Sequence, residues 1–233
     1  MSTSIGETLL NSIRETDTLT WIGTVTAVLY VILALKESIW CWSFGIVSSA
    51  LWVSIYFHQE LWYESMLNVF YVVLGIFGWI QWARSSTPLT TSSTPLTTSS
   101  ASLTTNPASL TTASGAASTT PEIKITRITG KTLLNAVLIA VVSGIILGYI
   151  ANAVTKNDFA YTDALLSSFA VIATWMTAKK YLENWLFWIA IDACSAVLYI
   201  FKGPEMYLAA LLFIFYTFMA IGGYFTWKKS LKA

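Results

Sequence analysis

Seven apolar runs, each about as long as a helix that crosses a bilayer, leave this chain few folds to adopt. They cover residues 19–35, 39–57, 61–83, 132–153, 161–178, 184–201 and 206–227. Very short turns join the first three to one another, and likewise the last three, so neighbouring helices must run antiparallel. Only 11% of the residues are charged, where a soluble domain carries about a quarter. The alternation expected of a lipid-facing β-barrel is absent. The expected class is an all-α integral membrane protein with seven transmembrane helices.

Composition narrows the partners. The net charge is +1 and no basic stripe exists, so nucleic acid is not an expected partner, whereas the lipid bilayer is. Cys41 and Cys194 fall inside apolar runs and read as small buried hydrophobes, with no disulfide frame and no metal site. Glu7, Glu15 and Asp17 interrupt the first eighteen residues, which do not resemble a cleaved signal peptide. That tail, 1–18, suits a short interfacial helix with Leu9, Leu10 and Ile13 on one side.

The runs divide the chain into a first three-helix unit at 19–83, a linker at 84–131, a single linking helix at 132–153, a second three-helix unit at 161–227 and a tail at 228–233. The linker contains STPLTTSSTPLTTSSASLTTNPASLTT, a degenerate Ser/Thr/Pro/Leu repeat without helical periodicity. Such a composition reads as a flexible tether.

Basic residues set the orientation. Arg14, Lys156 and Lys202 share one side, against Lys36, Arg84, Lys124, Arg127, Lys131, Lys179, Lys180, Lys228, Lys229 and Lys232 on the other. The richer side is expected to be cytoplasmic, which puts the N-terminus outside and the linker and C-terminus inside.

The two three-helix units match weakly at a constant offset of 145: Trp40 on Trp185, Trp42 on Phe187, Tyr71 on Tyr216, Gly78 on Gly223 and Trp82 on Trp227. Three helices plus one linking helix place the second unit in the same orientation as the first, a parallel repeat about an axis along the membrane normal. Gly144 and Gly148 in the linking helix allow a close helix contact, inside the protomer or between subunits.

Chemistry concentrates in NWLFWIAIDACSAVLY, residues 184–199. Trp185, Trp188, Asp192, Ser195 and Tyr199 follow a helical rhythm and share one stripe. A carboxylate in hydrocarbon costs several kcal/mol, so Asp192 should face a cavity or a partner. The bland reading puts Trp185 in an interfacial aromatic belt and Asp192 in a packing contact between helices. The functional reading is a polar pocket with stacking walls at membrane depth. The third run adds Asn68, Trp79 and Trp82 on a common face, with Gln81 nearby as an amide donor and acceptor. The second run contributes Trp42, Ser48, Ser49, Trp52 and Tyr56, and the seventh Tyr207, Tyr216 and Thr217. Lys202 lies in the outer turn, where it either screens access or marks a helix end.

No Arg lies within any run, so a phosphate has no clamp there. No Walker motif occurs, and no nucleophile with a plausible base stands out, so neither ATP-driven pumping by this chain nor enzymatic activity is expected. Indole faces attract cations by about 0.5–2 kcal/mol. A flat, polar, cationic ring is the guest this chemistry favours.

NWLFWIAIDACSAVLYIFKG, together with YESMLNVFYVVLGIFGWIQW, resembles the bacterial nicotinamide riboside transporters of the PnuC family. The resemblance implies a SWEET-like arrangement of three, one and three helices and a homotrimer in the cytoplasmic (inner) membrane. It also implies facilitated diffusion of unphosphorylated nicotinamide riboside, trapped afterwards by a separate cytoplasmic kinase, with no cofactor. Close relatives carry thiamine or riboflavin. A protein of another class, a membrane sensor that binds without transporting, would show the same aromatic pocket. Carried over by resemblance, Trp185 and Trp188 match the family's tryptophan pair, Asn184 and Asp192 its flanking polar positions, and Asn68, Trp79, Gln81 and Trp82 its span-three motif. The resemblance implies that the nicotinamide ring stacks on Trp185 or Trp188. Its carboxamide would meet Asn184, Gln81 or Asn68, and its ribose Asp192, Tyr216 or Thr217. Trp42, Trp52, Tyr56 and Tyr199 are expected as gating or secondary aromatics.

Overall fold

A computed structural model describes residues 5–59, 61–85, 123–154 and 158–232. The low-complexity repeat between 86 and 122 lies outside the described residues. In chain order the elements are α1 (Ile5–Glu15), α2 (Thr18–Leu35), α3 (Trp40–His58), α4 (Trp62–Ser85), α5 (Gly130–Val154), α6 (Ala160–Ala178), α7 (Asn184–Lys202), a 3-10 turn (Pro204–Met206) and α8 (Tyr207–Ser230). Among the described residues there is no strand, apart from a single bridge between Thr126 and Tyr181.

Helix α1 packs against α8 and the 3-10 turn and buries none of its residues. Asp17 caps α2: its Oδ1 accepts from Thr20 N–H at 2.8 Å, and this bond holds its carboxyl below the usual carboxylate range.

Among the described residues, six helices are long and apolar enough to cross a membrane: α2, α3, α4, α5, α7 and α8. Helix α6 falls short of that mark for a physical reason. It buries Ala160, Ala164, Ser168, Ala170, Ala173, Thr174, Met176, Thr177 and Ala178, so protein rather than lipid surrounds much of it. Small and hydroxylated residues suit such a position and dilute the hydropathy. The lipid-compatible surface lies elsewhere, for example at Ile145, Tyr149, Phe218 and Phe225, all exposed.

The helices close a ring. Helix α3 packs between α2 and α4, α7 packs between α6 and α8, and two seams, α4 on α6 and α2 on α8, join the halves. Helix α5 stands outside the ring against α6. Its buried stripe is Ala136, Ala140, Gly144, Gly148 and Ala151. A Cβ on Gly144 would come within 2.7 Å of the Leu165 side chain, and one on Gly148 within 2.6 Å of Tyr161. The small-residue pair therefore serves a contact inside the protomer.

Residues 123–129, within the stretch read as linker, are fastened down. Thr126 N–H donates to Lys180 O at 3.1 Å, Leu182 N–H donates to Thr126 O at 2.9 Å, and Ile128 N–H donates to Glu183 Oε2 at 3.0 Å. Ile125 is buried in the main apolar cluster.

The halves repeat their contacts. Trp82 Nε1 donates to Ala178 O and Trp227 Nε1 donates to Ala34 O, both at 3.1 Å. Gly78 lies under the Trp42 ring and Gly223 under the Trp185 ring. Trp42 meets Trp82 edge-on at 5.5 Å and 90°, and Trp185 meets Trp227 at 5.4 Å and 88°. The structural partner of Trp185 is thus Trp42, not Trp40. The constant offset of 145 holds for α4 and α8 but drops to 143 at Trp42 and Trp185, and the α7–α8 turn, which contains Pro204–Met206, is longer than its α3–α4 counterpart.

Candidate functional site

Inside the ring is a cavity of about 440 Å³, with walls from α2, α3, α4, α6, α7 and α8. Its size suits a small molecule rather than a water or an ion.

Helix α7 supplies one wall through its helical period. Trp185, Trp188, Asp192, Ser195 and Tyr199 all line the cavity, as the stripe predicts. Asp192 is buried at 5% exposure and belongs to neither of the ion pairs found among the described residues. Trp188 Nε1 donates to Thr177 Oγ1 at 3.4 Å. Thr177 Oγ1 lies 3.1 Å from Asn184 Oδ1, and Asn184 Nδ2 donates to Tyr181 O. Asn184 is fully buried and is not part of the wall. It stands behind Thr177, which does line the cavity and orients the Trp188 indole.

The rest of the lining is aromatic and hydroxylic, and part of it packs on α7. Trp52 stacks on Tyr56 at 5.3 Å and 28°, and Tyr199 stacks on Phe213 at 5.2 Å and 11°. Tyr216 lines the cavity beside Phe213, with ring centroids 6.2 Å apart. Ser48 and Asn68 also line it. Ser48 Oγ donates to Gly23 O at 2.9 Å, and Asn68 Nδ2 donates to Glu64 O at 2.8 Å.

The structure puts other candidates outside the wall. Trp82 is buried in the seam bonded to Ala178, and Trp79 packs edge-on against Trp40 at 5.6 Å. Gln81, half-buried near the end of α4, does not reach the cavity. Thr217 lies beyond it too, its Oγ1 bonded to Phe213 O of its own helix at 2.9 Å. Trp42 lines a smaller neighbouring pocket of about 150 Å³ with Tyr30, Ser48 and Trp188.

Sequence reasoning missed Tyr30, Glu64, Asp163, Ser167, Thr177 and Phe213 as lining residues. Glu64 and Asp163 fall in the first turns of α4 and α6, where an acid reads as helix-end electrostatics. Thr177 carries no signal until α6 is known to be enclosed by protein.

The two ends of the cavity differ. At one end Trp42, Trp82, Trp185 and Trp227 form a packed block, none more than 3% exposed. There Lys180 pairs with Glu37 at 3.2 Å across the two halves and lies 4.7 Å above the Trp82 ring. At the other end Glu64, Asp163 and Lys202 are partly exposed. Lys202 Nζ is 2.9 Å from both carboxylate oxygens of Asp163. The cavity is therefore sealed at the tryptophan end and accessible from the other.

Residues 17–229 match a family model described as nicotinamide mononucleotide transporter. Among curated proteins, the nicotinamide riboside transporter PnuC of Escherichia coli strain K12 is 25% identical over 217 residues, covering 92% of this chain and 87% of that protein. PnuC of Neisseria mucosa, with the same description, is 23% identical over 220 residues, covering 91% of this chain and 72% of that protein. Among solved structures, a crystal structure of the vitamin B3 transporter PnuC aligns with a TM-score of 0.66 at 22% identity, covering 98% of this chain and 88% of that one.

Proposed function

Because the chain belongs to the PnuC family, described as nicotinamide mononucleotide transporters, we propose that it carries nicotinamide riboside across the cytoplasmic membrane without altering it. The observation that carries this reading is the cavity itself: a chamber inside a helix ring, walled by indoles, phenols and Asp192, sealed at one end and accessible at the other. The pyridinium ring suits the face of Trp188 or Trp185, and Asp192 supplies the opposite charge. Tyr216, Ser195 and Asn68 offer hydrogen bonds to ribose hydroxyls and the carboxamide.

The proposed route is alternating access. Helices α2–α4 and α6–α8 are read as parallel three-helix repeats joined by α5, with α6 spanning the membrane inside the protein. The contacts at Trp82–Ala178 and Trp227–Ala34 support a pseudo-twofold axis between them. Rocking about that axis would part both seams at the tryptophan end and close the other. The bias of basic residues supports a cytoplasmic tryptophan end and an outer N-terminus, and on that reading the present conformation is outward-facing. The chain has no nucleotide-binding motif, and the proposed transport is passive, in a homotrimer, with net uptake drawn by a separate cytoplasmic kinase.

Purified protein in liposomes tests this. Uptake of labelled nicotinamide riboside to equilibrium, and no further under imposed proton or sodium gradients, is the expected result. Binding without flux would mean a sensor, and accumulation above equilibrium would mean a coupled carrier.

A further inference from the structure

The charged groups of the cavity gather at its accessible mouth, and they do not balance. Glu64 and Asp163 line it from the first turns of α4 and α6, Lys202 from the last turn of α7, and Asp192 from deeper in the wall. Lys202, the one ammonium among these, is held by both oxygens of Asp163 and flanked by the Tyr199 and Phe159 rings at 4.9 and 5.8 Å. Glu64 is in neither ion pair found among the described residues. Helix-end electrostatics accounts for the residue types, acids at N-termini and a base at a C-terminus, but not for their convergence on one chamber.

We propose that Glu64 is a specificity-determining residue, a charge selector at the mouth that admits cationic aromatic solutes and turns away phosphorylated ones. Asp163 assists by occupying the single ammonium that would otherwise hold a phosphate. A cleft lined by one sign of charge, between low-dielectric walls, concentrates ions of the opposite sign. The distinction matters because the family description names the mononucleotide and the relatives' names give the riboside, and a phosphate adds about −1.5 to −2 charges to a cationic nucleoside. The proposal rests on the transport reading above but concerns which charge state passes.

The test compares liposome uptake of nicotinamide riboside, which is cationic, with its dihydro form, which is uncharged and nearly the same size. In the wild type the ratio of cationic to uncharged uptake should fall as salt rises. Glu64→Gln should lower that ratio about fivefold at low salt, the effect of one unit charge at close range in a partly wet site. Asp163→Asn, which releases Lys202, should lower it too and make nicotinamide mononucleotide a stronger inhibitor. A ratio unmoved by salt in the wild type, or unmoved by Glu64→Gln, overturns the proposal. If either variant fails to fold, the wild-type salt series still decides. If the wild type carries neither riboside form, the transport reading fails separately. The same ratio is then read with thiamine as the cation and riboflavin as the uncharged probe, and insensitivity there also overturns the selector.

Discussion

Glu37 and Lys180 adopt the same left-handed backbone, φ 55° and 53°, and bond each other at 3.2 Å. Glu37 is in the turn after α2 and Lys180 in the turn after α6, so two corresponding turn positions meet. A non-glycine residue in that conformation costs about 1 kcal/mol or more. Both turns carry the cost, and both place a charged side chain where it reaches across. The pair bridges the two turns at the sealed end, where it is positioned to act as a latch.

Breaking that latch should loosen the tryptophan end. Cys41 reports on it, being fully buried in the same cluster as Trp42, Trp82 and Trp227. In a Cys194→Ser background, which removes the exposed thiol, Lys180→Met should raise the maleimide labelling rate of Cys41 about fivefold, as expected for losing about 1 kcal/mol of a partly exposed pair. Equal rates in both proteins would show that the ion pair does not hold this end shut.

The glycines under the indoles make a sharper prediction. A Cβ on Gly78 or Gly223 would fall inside the van der Waals envelope of the Trp42 or Trp185 ring. Gly223→Ala and Gly78→Ala should each destabilise the protein by about 1–3 kcal/mol, visible as a lower Tm in detergent. Gly222→Ala is the internal control, because its Cβ would meet nothing nearer than a Leu35 methyl at 4.0 Å. A Gly222 variant that melts as low as Gly223→Ala would assign the loss to helix α8 in general.

Trp188 carries the stacking argument. Trp188→Ala should weaken nicotinamide riboside binding by about 1–3 kcal/mol, measured as Kd by titration calorimetry. Thr177→Val keeps the ring but removes the oxygen that its Nε1 bonds, and should cost less, about 1 kcal/mol. Should the Thr177 variant lose as much as the Trp188 variant, orientation rather than ring area would dominate.

The sequence made the α7 wall readable as a stripe and named parts of the α3, α4 and α8 walls, Trp52, Tyr56, Asn68 and Tyr216 among them, but hid the α2 and α6 walls. A single helix with polar residues at three- and four-residue steps announces its own inner face, and all five members of the α7 stripe line the cavity. A face does not reveal depth, however. Asn68 and Trp82 share the α4 face, yet Asn68 reaches the cavity while Trp82, nearly four turns on, closes the seam to Ala178. Helix α6 gave a weak hydropathy signal because it is enclosed by protein, so Ser167 and Thr177 went unnoticed. The repeat was visible at Gly78 and Gly223 but misaligned at Trp185, since one offset cannot describe two turns of different length.

Asp192 is where burial and charge conflict most. Its carboxyl is in the middle of α7, nearly buried, lining the cavity beside Tyr216 and Ser195, and it takes no part in an ion pair among the described residues. Held only for packing, such a group would be better replaced by an isosteric amide, which removes the cost of a charge in a low-dielectric setting. Held for a cationic guest, it should be costly to the empty protein and valuable to the loaded one. Asp192→Asn should therefore raise the Tm of the ligand-free protein while weakening nicotinamide riboside binding about tenfold, a loss of about 1.4 kcal/mol. The two measurements must move in opposite directions. A variant that melts lower and binds equally well would make Asp192 a structural residue and remove the counter-charge from the proposed site.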